Sequence, residues 1–192
     1  MNAMTAITTH SSLEPLAVLA ARVGATLRER RQTVAVAESS AGGLVSAALL
    51  AIPGASAFFL GGAVVYSRRA GKALLGLVPE DMNGMRAETE PYARFIAARI
   101  RDSHRATWGI CESGAAGPSG SPYGDAPGHV CVAVAGSGSG PGGGMVTASR
   151  TVETGDTDRP ANMEVFARQL LQLFDETLRA PEAGAGAGIN PV

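Results

Sequence analysis

Three short segments hold most of the residues in this 192-residue chain that could do chemistry. The first is Glu38-Ser39-Ser40-Ala41-Gly42-Gly43, between an apolar stretch and a helical one. A strand turning through such residues into a helix presents hydroxyls beside backbone N–H groups. The partial positive charge of a helix N-terminus suits a phosphate or an oxyanion, and glycines let a ligand approach closely. Ser39 or Ser40 is therefore a candidate nucleophile. The plainer alternative, that one of them simply caps the helix, stands beside it.

The second segment runs from Tyr66 to Lys72, the only lysine in a chain with sixteen Lys and Arg residues. A lysine whose pKa is lowered by burial or by nearby cations can act as general base for a serine. Arg68 and Arg69 are candidate cations for that purpose or for holding a phosphate. A solvated basic helix start is the alternative. The third segment, Glu112-Ser113-Gly114-Ala115-Ala116-Gly117-Pro118, is either an anion-binding nest of N–H groups or an ordinary wide loop. Gly136 to Gly144 is glycine-rich too, but no Lys-Ser or Lys-Thr follows it, so a flexible turn is expected there. His10, His104 and His129 have no metal-ligand spacing with one another or with the cysteines, and no metal or organic cofactor is expected. Of the three, His129 is the candidate for touching a ligand. Cys111 and Cys131 are expected as buried thiols on strands.

The elements that must position these segments follow from periodicity. Leu13 to Leu27 has apolar residues at helical spacing, with Arg28, Arg30 and Arg31 closing the last turn. Thr33 to Ala37 and Gly61 to Tyr66 read as strands, with a helix over Leu44 to Ile52 between them. Ser67 is placed to cap a short helix ending at Leu75, with Gly76 beyond it. Pro79 to Arg86 reads as a loop, Glu88 to Asp102 as a helix and Ala106 to Glu112 as a strand. Ser113 to Gly128 is expected as a shaped loop. Val130 to Ala135 and Met145 to Val152 form a hairpin, and a last helix covers Ala161 to Leu178. This order predicts a single α/β domain over residues 13–179, with a mixed sheet of about five strands and helices on both faces. Residues 1–12 and 180–192 are expected as flexible tails.

Composition narrows the function classes. The formal net charge is −1, so no global field recruits nucleic acid or an anionic membrane. No apolar run is long enough to span a bilayer, and Met1 to His10 lacks the features of a signal peptide. A cytoplasmic location, a small-molecule partner and a homo-oligomer are the expectations.

Taken in order, the motifs resemble those of the C-terminal domain of competence-damage-inducible protein A, the nicotinamide mononucleotide deamidase family. Glu38-Ser39-Ser40-Ala41-Gly42-Gly43 stands where that family has Glu-Ser-Cys-Thr-Gly-Gly, and Pro53-Gly54-Ala55-Ser56 where it has Pro-Gly-Ser-Ser. Tyr66-Ser67-Arg68-Arg69-Ala70 and Leu74-Leu75-Gly76 match its Tyr-Ser-x-x-Ala-Lys and Leu-Leu-Gly. Ser113-Gly114-Ala115-Ala116-Gly117-Pro118 matches Ser-Gly-Ile-Ala-Gly-Pro, and Ala126-Pro127-Gly128-His129-Val130 resembles Pro-Val-Gly-x-Val. The resemblance spans about Leu13 to Leu178. It implies a three-layer α/β/α sandwich and hydrolysis of nicotinamide mononucleotide to nicotinic acid mononucleotide and ammonia, in pyridine nucleotide recycling.

By the same resemblance, Ser39 is the nucleophile, activated by Tyr66 and a lysine, with Lys72 the candidate. The N–H groups near Ala41 to Gly43 are the expected oxyanion donors. Glu38, Ser40, Ala41, Gly42, Gly43, Arg68, Ser113, Gly114, Ala115, Gly117 and Arg159 are the expected substrate-binding residues. The resemblance also implies a stand-alone form of what is elsewhere part of a larger protein. Three positions depart from the pattern. The family's lysine falls on Gly71, one residue before Lys72, and one residue is about 100° of helix rotation. Cys-Thr has become Ser40-Ala41. Gly-Asp-Arg has become Gly155-Asp156-Thr157-Asp158-Arg159. Two further functions therefore accompany the amidohydrolase: a non-catalytic nucleotide-binding or regulatory domain, and a serine hydrolase of another small amide.

Overall fold

A computed structural model describes residues 14–82, 84–137 and 145–180. The expected tails at 1–12 and 180–192, all but Ala180, and residues 138–144 of the expected flexible turn lie outside the described residues. The elements in chain order are α1 (Leu16–Arg30), β1 (Val34–Glu38), α2 (Leu44–Leu50), β2 (Phe59–Val64), α3 (Arg68–Leu75), α4 (Pro79–Met82), α5 (Glu90–His104), β3 (Trp108–Ala115), β4 (His129–Ser137), β5 (Met145–Glu153) and α6 (Arg159–Arg179).

The strands form one mixed sheet in the order β2-β1-β3-β4-β5, in which β2, β1 and β3 run parallel and the β4–β5 hairpin antiparallel. Strand β1 is buried along its whole length, because helices cover both faces. Its valines, with Ile110 of β3 and Val132 of β4, pack under α1, α2 and α6. The alternate small residues, Ala35, Ala37, Cys111 and Ala133, face α5. Gly109 explains why α5 lies so close: a Cβ there would sit 1.9 Å from the Ala97 carbonyl oxygen. The result is the three-layer α/β/α fold, with its mixed five-stranded sheet.

Three expectations about elements are corrected. Pro79–Met82 is a short helix rather than loop, its entry held by the Val78 N–H donating to Asp81 Oδ2 at 3.0 Å. Strand β3 continues past Glu112 to Ala115, because Ser113, Gly114 and Ala115 pair with Cys131, Val130 and His129. Strand β2 starts two residues early and ends two early, over Phe59–Val64. Its register with β1 shifts so that Val34 pairs with Phe59 but Ala35 with Gly61. That shift sets Val64 opposite Glu38, so the chain leaves the sheet beside Ser39 and carries Tyr66 there.

Candidate active site

Three chain segments leave the carboxyl ends of β1, β2 and β3 side by side, which is where an open α/β sheet places its ligands. They line a cleft of about 870 Å³. Ser39, Ser40, Tyr66, Arg68, Lys72, Ser113, Gly114, Ala115, Gly117 and Arg159 all border it. Ten of the residues expected from sequence are thus brought to one cavity. Glu38, Ala41, Gly42 and Gly43 are not among its lining.

The reason lies in the β1–α2 turn. Positive φ at Gly42 (66°) and Gly43 (101°) folds the turn tightly, a geometry that suits glycine. Glu38 is 1% exposed, and its carboxylate reaches over the turn to α2. Its Oε2 accepts from the Gly43 N–H at 2.9 Å and the Val45 N–H at 3.0 Å. Its Oε1 accepts from the Ser46 N–H at 2.9 Å and the Ser46 hydroxyl at 2.7 Å. From the other side, Glu112 Oε2 accepts from the Ser39 N–H at 2.9 Å and the Ala41 N–H at 2.8 Å. The Gly42 N–H donates back to the Ser39 carbonyl. The N–H groups of Ala41, Gly42 and Gly43 are therefore occupied within the chain. The expectation that they receive an oxyanion is corrected: helix α2's first donors satisfy the protein's own carboxylates.

The two serines differ sharply. Ser40 is buried and its hydroxyl donates to the Gly114 carbonyl. Ser39 is half-buried, and its hydroxyl has no hydrogen-bond partner among the described residues. Neither hydroxyl caps α2, whose N-cap position is Gly43.

Opposite the serines, Ser67 caps α3 as expected, accepting from the Ala70 N–H at 3.1 Å, and Gly76 ends the helix with φ 63°. Tyr66 is 62% exposed. Its hydroxyl accepts from Arg159 Nη2 at 3.2 Å, while Arg159 Nη1 donates to the Gly117 carbonyl at 2.8 Å. Arg159 thus ties the β2 exit to the Ser113–Pro118 segment. Gly71, at the family's lysine position, is buried, and a Cβ on it would lie 3.0 Å from Leu77 Cδ1. Lys72 is exposed and forms no ion pair among the described residues, although it borders the same cleft.

The remaining wall was not legible as a site. Arg86, Glu88, Tyr92 and Tyr123 line it together with Met82 and Met85. Arg86 grips Asp125 through two bonds, at 2.6 and 2.8 Å, which fixes the loop carrying Tyr123. Those bonds hold the Asp125 carboxyl well below its usual range. Glu88 has φ 63°, and burial raises its carboxyl. Its N–H donates to Ser113 Oγ at 3.2 Å, and its carbonyl meets His129 Nε2 at 2.9 Å. His129 itself is structural rather than ligand-facing. Its Nδ1 lies 2.5 Å from Glu153, and partners including Cys131 and Glu153 raise its pKa to about 10. Both cysteines are free and buried on β3 and β4. Among the described residues no cluster of His, Cys, Asp or Glu side chains is arranged to hold a metal ion, and no helix is long and apolar enough to cross a membrane.

Residues 16–178 match the family of the CinA C-terminal domain. The chain belongs to that family. Among its relatives is a CinA-like protein of Myxococcus xanthus, 39% identical over 162 residues, which cover 84% of this chain and 37% of the relative. A CinA-like protein of Synechococcus is 43% identical over 118 residues, covering 62% of this chain and 28% of that one. The chain thus matches well under half the length of these curated relatives. Solved structures of CinA-superfamily size match almost end to end. A competence-damaged protein (CinA) superfamily protein from Enterobacter cloacae has a TM-score of 0.76 at 30% identity, covering 92% of this chain and 99% of that one. A competence or damage-inducible protein from Enterobacter asburiae has a TM-score of 0.75 at 30% identity, covering 86% and 99%. The CinA fold is therefore common to this chain and to those structures.

Glu112, the first residue of the third segment, is not among the site residues expected from sequence. Its signal was present: a lone acid in an otherwise apolar strand, directly before Ser113-Gly114.

Proposed function

We propose that this CinA-type domain is a serine amidohydrolase that converts nicotinamide mononucleotide and water to nicotinic acid mononucleotide and ammonia. The observation that carries this reading is the Ser39 hydroxyl. It has no hydrogen-bond partner among the described residues, and Ser39 borders the cleft that Tyr66, Lys72 and Arg159 also border. A nucleophilic serine needs a free hydroxyl, a base and a cation or dipole for the developing charge. In the reaction, Ser39 Oγ bonds to the carboxamide carbon while its proton passes to a base at the cleft, the role for which Lys72 is the candidate. The C–N bond breaks, and the departing nitrogen takes that proton and leaves as ammonia. Water then attacks the Ser39 ester, releasing the carboxylate product and restoring the hydroxyl.

With the Ala41 to Gly43 donors occupied, charge stabilisation falls to other groups. Ala116 and Gly117 border the cleft, and their N–H groups make no backbone hydrogen bond among the described residues. Arg159 and Arg68 are the cations in reach of a phosphate or an oxyanion on that side.

The test is release of ammonia and nicotinic acid mononucleotide by the purified chain. Ser39→Ala should lower turnover on the order of 10³-fold or more while nucleotide still binds. Lys72→Arg should lower it as well, because a guanidinium does not release its proton. The buried glycine at the family's lysine position favours a second reading, a nucleotide-binding domain without turnover. Saturable nucleotide binding by the parent chain with no product released would establish that one instead.

A further inference from the structure

Of the buried acids that the proposed reaction does not use, Glu112 is the one that bonds to the Ser39 N–H. Glu112 is 1% exposed on β3, and its Oε2 accepts two N–H bonds, from Ser39 and from Ala41. The Ser40 N–H also acts on it. One carboxylate oxygen therefore grips the backbone on both sides of Ser40, whose hydroxyl is tied to Gly114 two residues further along β3. Its other oxygen, Oε1, is buried with no hydrogen-bond partner among the described residues. An unpaired buried carboxylate oxygen is expensive, and an ordinary core position would hold an apolar residue there.

The titratable groups acting on Glu112 are Glu38 across the turn and its own neighbour Cys111. Strand β4 presents Val132 opposite it, and α6 covers this face of the sheet with apolar side chains such as Phe166 and Leu170. Arg159, also on α6, is turned instead to Tyr66 and Gly117. No cation of these elements compensates the acid, so its charge is balanced by N–H dipoles alone. Burial, opposed by those N–H groups, raises its pKa from 4.5 to about 7. Because Oε2 already accepts two bonds, the proton of the neutral form belongs on the vacant Oε1.

We infer that Glu112 is the positioning residue of the Ser39 nucleophile, and that its ionisation sets how firmly the Ser39 turn is held. The inference rests on the serine reading above. Ionised, Glu112 makes two charge-assisted N–H bonds and fixes the Ser39 hydroxyl in the cleft. Protonated, it makes weaker neutral bonds, and the hydroxyl loses its fixed place. Its influence passes through the backbone of Ser39 and Ala41 rather than through contact with substrate.

The experiment measures the rate at which a fluorophosphonate probe labels Ser39 between pH 5 and 9, in the parent chain and in Glu112→Gln. Glutamine keeps the shape and an acceptor oxygen but does not ionise. Nicotinamide mononucleotide hydrolysis is followed in parallel. The expected result is labelling that rises through a midpoint near neutrality in the parent, and that is at least tenfold slower above pH 8, without that step, in Glu112→Gln. If hydrolysis occurs, kcat should fall with the labelling rate while KM stays within about threefold. Identical pH profiles and rates in the two proteins overturn the inference, as does a parent Ser39 that the probe never labels. Labelling that behaves as expected without nucleotide hydrolysis leaves Glu112 in its role and overturns the substrate reading instead. An infrared band of a protonated carboxylic acid should disappear near neutral pH in the parent alone. That measurement decides the question should Glu112→Gln fail to fold, since a parent lacking the band refutes the inference.

Discussion

The two walls of the cleft are built on opposite plans. On the Ser39 side, two buried glutamates between them accept six hydrogen bonds from the β1–α2 turn and the start of α2. On the Tyr66–Lys72 side, the tyrosine is 62% exposed, the lysine is exposed with no ion pair among the described residues, and the polar anchors include a serine cap and an arginine. The first wall places its serine before a ligand arrives, which is what a nucleophile requires. The second wall leaves Lys72 on a short helix whose buried residues are Gly71 and Leu75. The departure from the family's lysine pattern lies on this wall, at buried Gly71 and exposed Lys72 beside it. The Cys-Thr to Ser40-Ala41 change lies on the firm wall, and there each replacement is absorbed by burial, Ser40 through its bond to Gly114.

The contrast can be broken most severely at Glu38. Glu38→Ala strips four hydrogen bonds from donors that lie against buried structure. The expected loss of stability is about 3 kcal/mol or more in chemical denaturation, with α2 the first element to exchange its amide hydrogens. A loss below about 1 kcal/mol would mean that the firm wall does not depend on its carboxylates.

The next effect is a dependence on pH. Glu112 has its folded-state pKa raised from 4.5 to about 7, so the folded chain holds this proton more tightly than the unfolded chain does. Its contribution to stability is therefore complete below about pH 4.5 and is lost as pH rises through 7, a change of roughly 3 kcal/mol in all. Urea titrations at several pH values should show that decline in the parent and a flatter profile in Glu112→Gln. An equal slope in both proteins would assign the decline to other groups.

The smallest changes are expected on the open wall. Ser67→Ala removes the α3 cap and should cost about 1 kcal/mol. Lys72→Ala touches no hydrogen bond or ion pair and should shift stability by less than about 0.5 kcal/mol. The same Lys72 substitution should nonetheless remove most turnover. A lysine variant that loses stability and activity together would make Lys72 a structural residue and erase the distinction between the walls.

Much of the architecture was legible in the chain itself. Strand β1 announces itself by a run of small and β-branched apolar residues, α1 and α5 by helical spacing, and α3 by Ser67 at one end and Gly76 at the other. Extents were less so. Ser113 to Ala115 look like loop because Ser, Gly and Ala carry no strand preference, yet pairing with His129 to Cys131 makes them the end of β3. Pro79–Met82 reads as loop from its sequence, although a proline suits the first turn of a helix and Asp81 closes it. Ten expected site residues meet at the cleft because the motifs follow strand ends, and strand ends in a parallel sheet converge.

By itself the sequence determined the alternation of elements, the three segments that meet at the cleft and the order of motifs that resembles the CinA family. These depend on residue type and short-range spacing, which a single chain displays in full. Only the tertiary structure decided which serine keeps a free hydroxyl, since that turned on whether Gly114 lay within reach of Ser40. It likewise decided that the Ala41 to Gly43 N–H groups are taken and that Glu112 lies beneath them. Glu112 and Ser39 are 73 residues apart, and no local preference records a hydrogen bond that exists only because β1 and β3 are neighbours in the sheet.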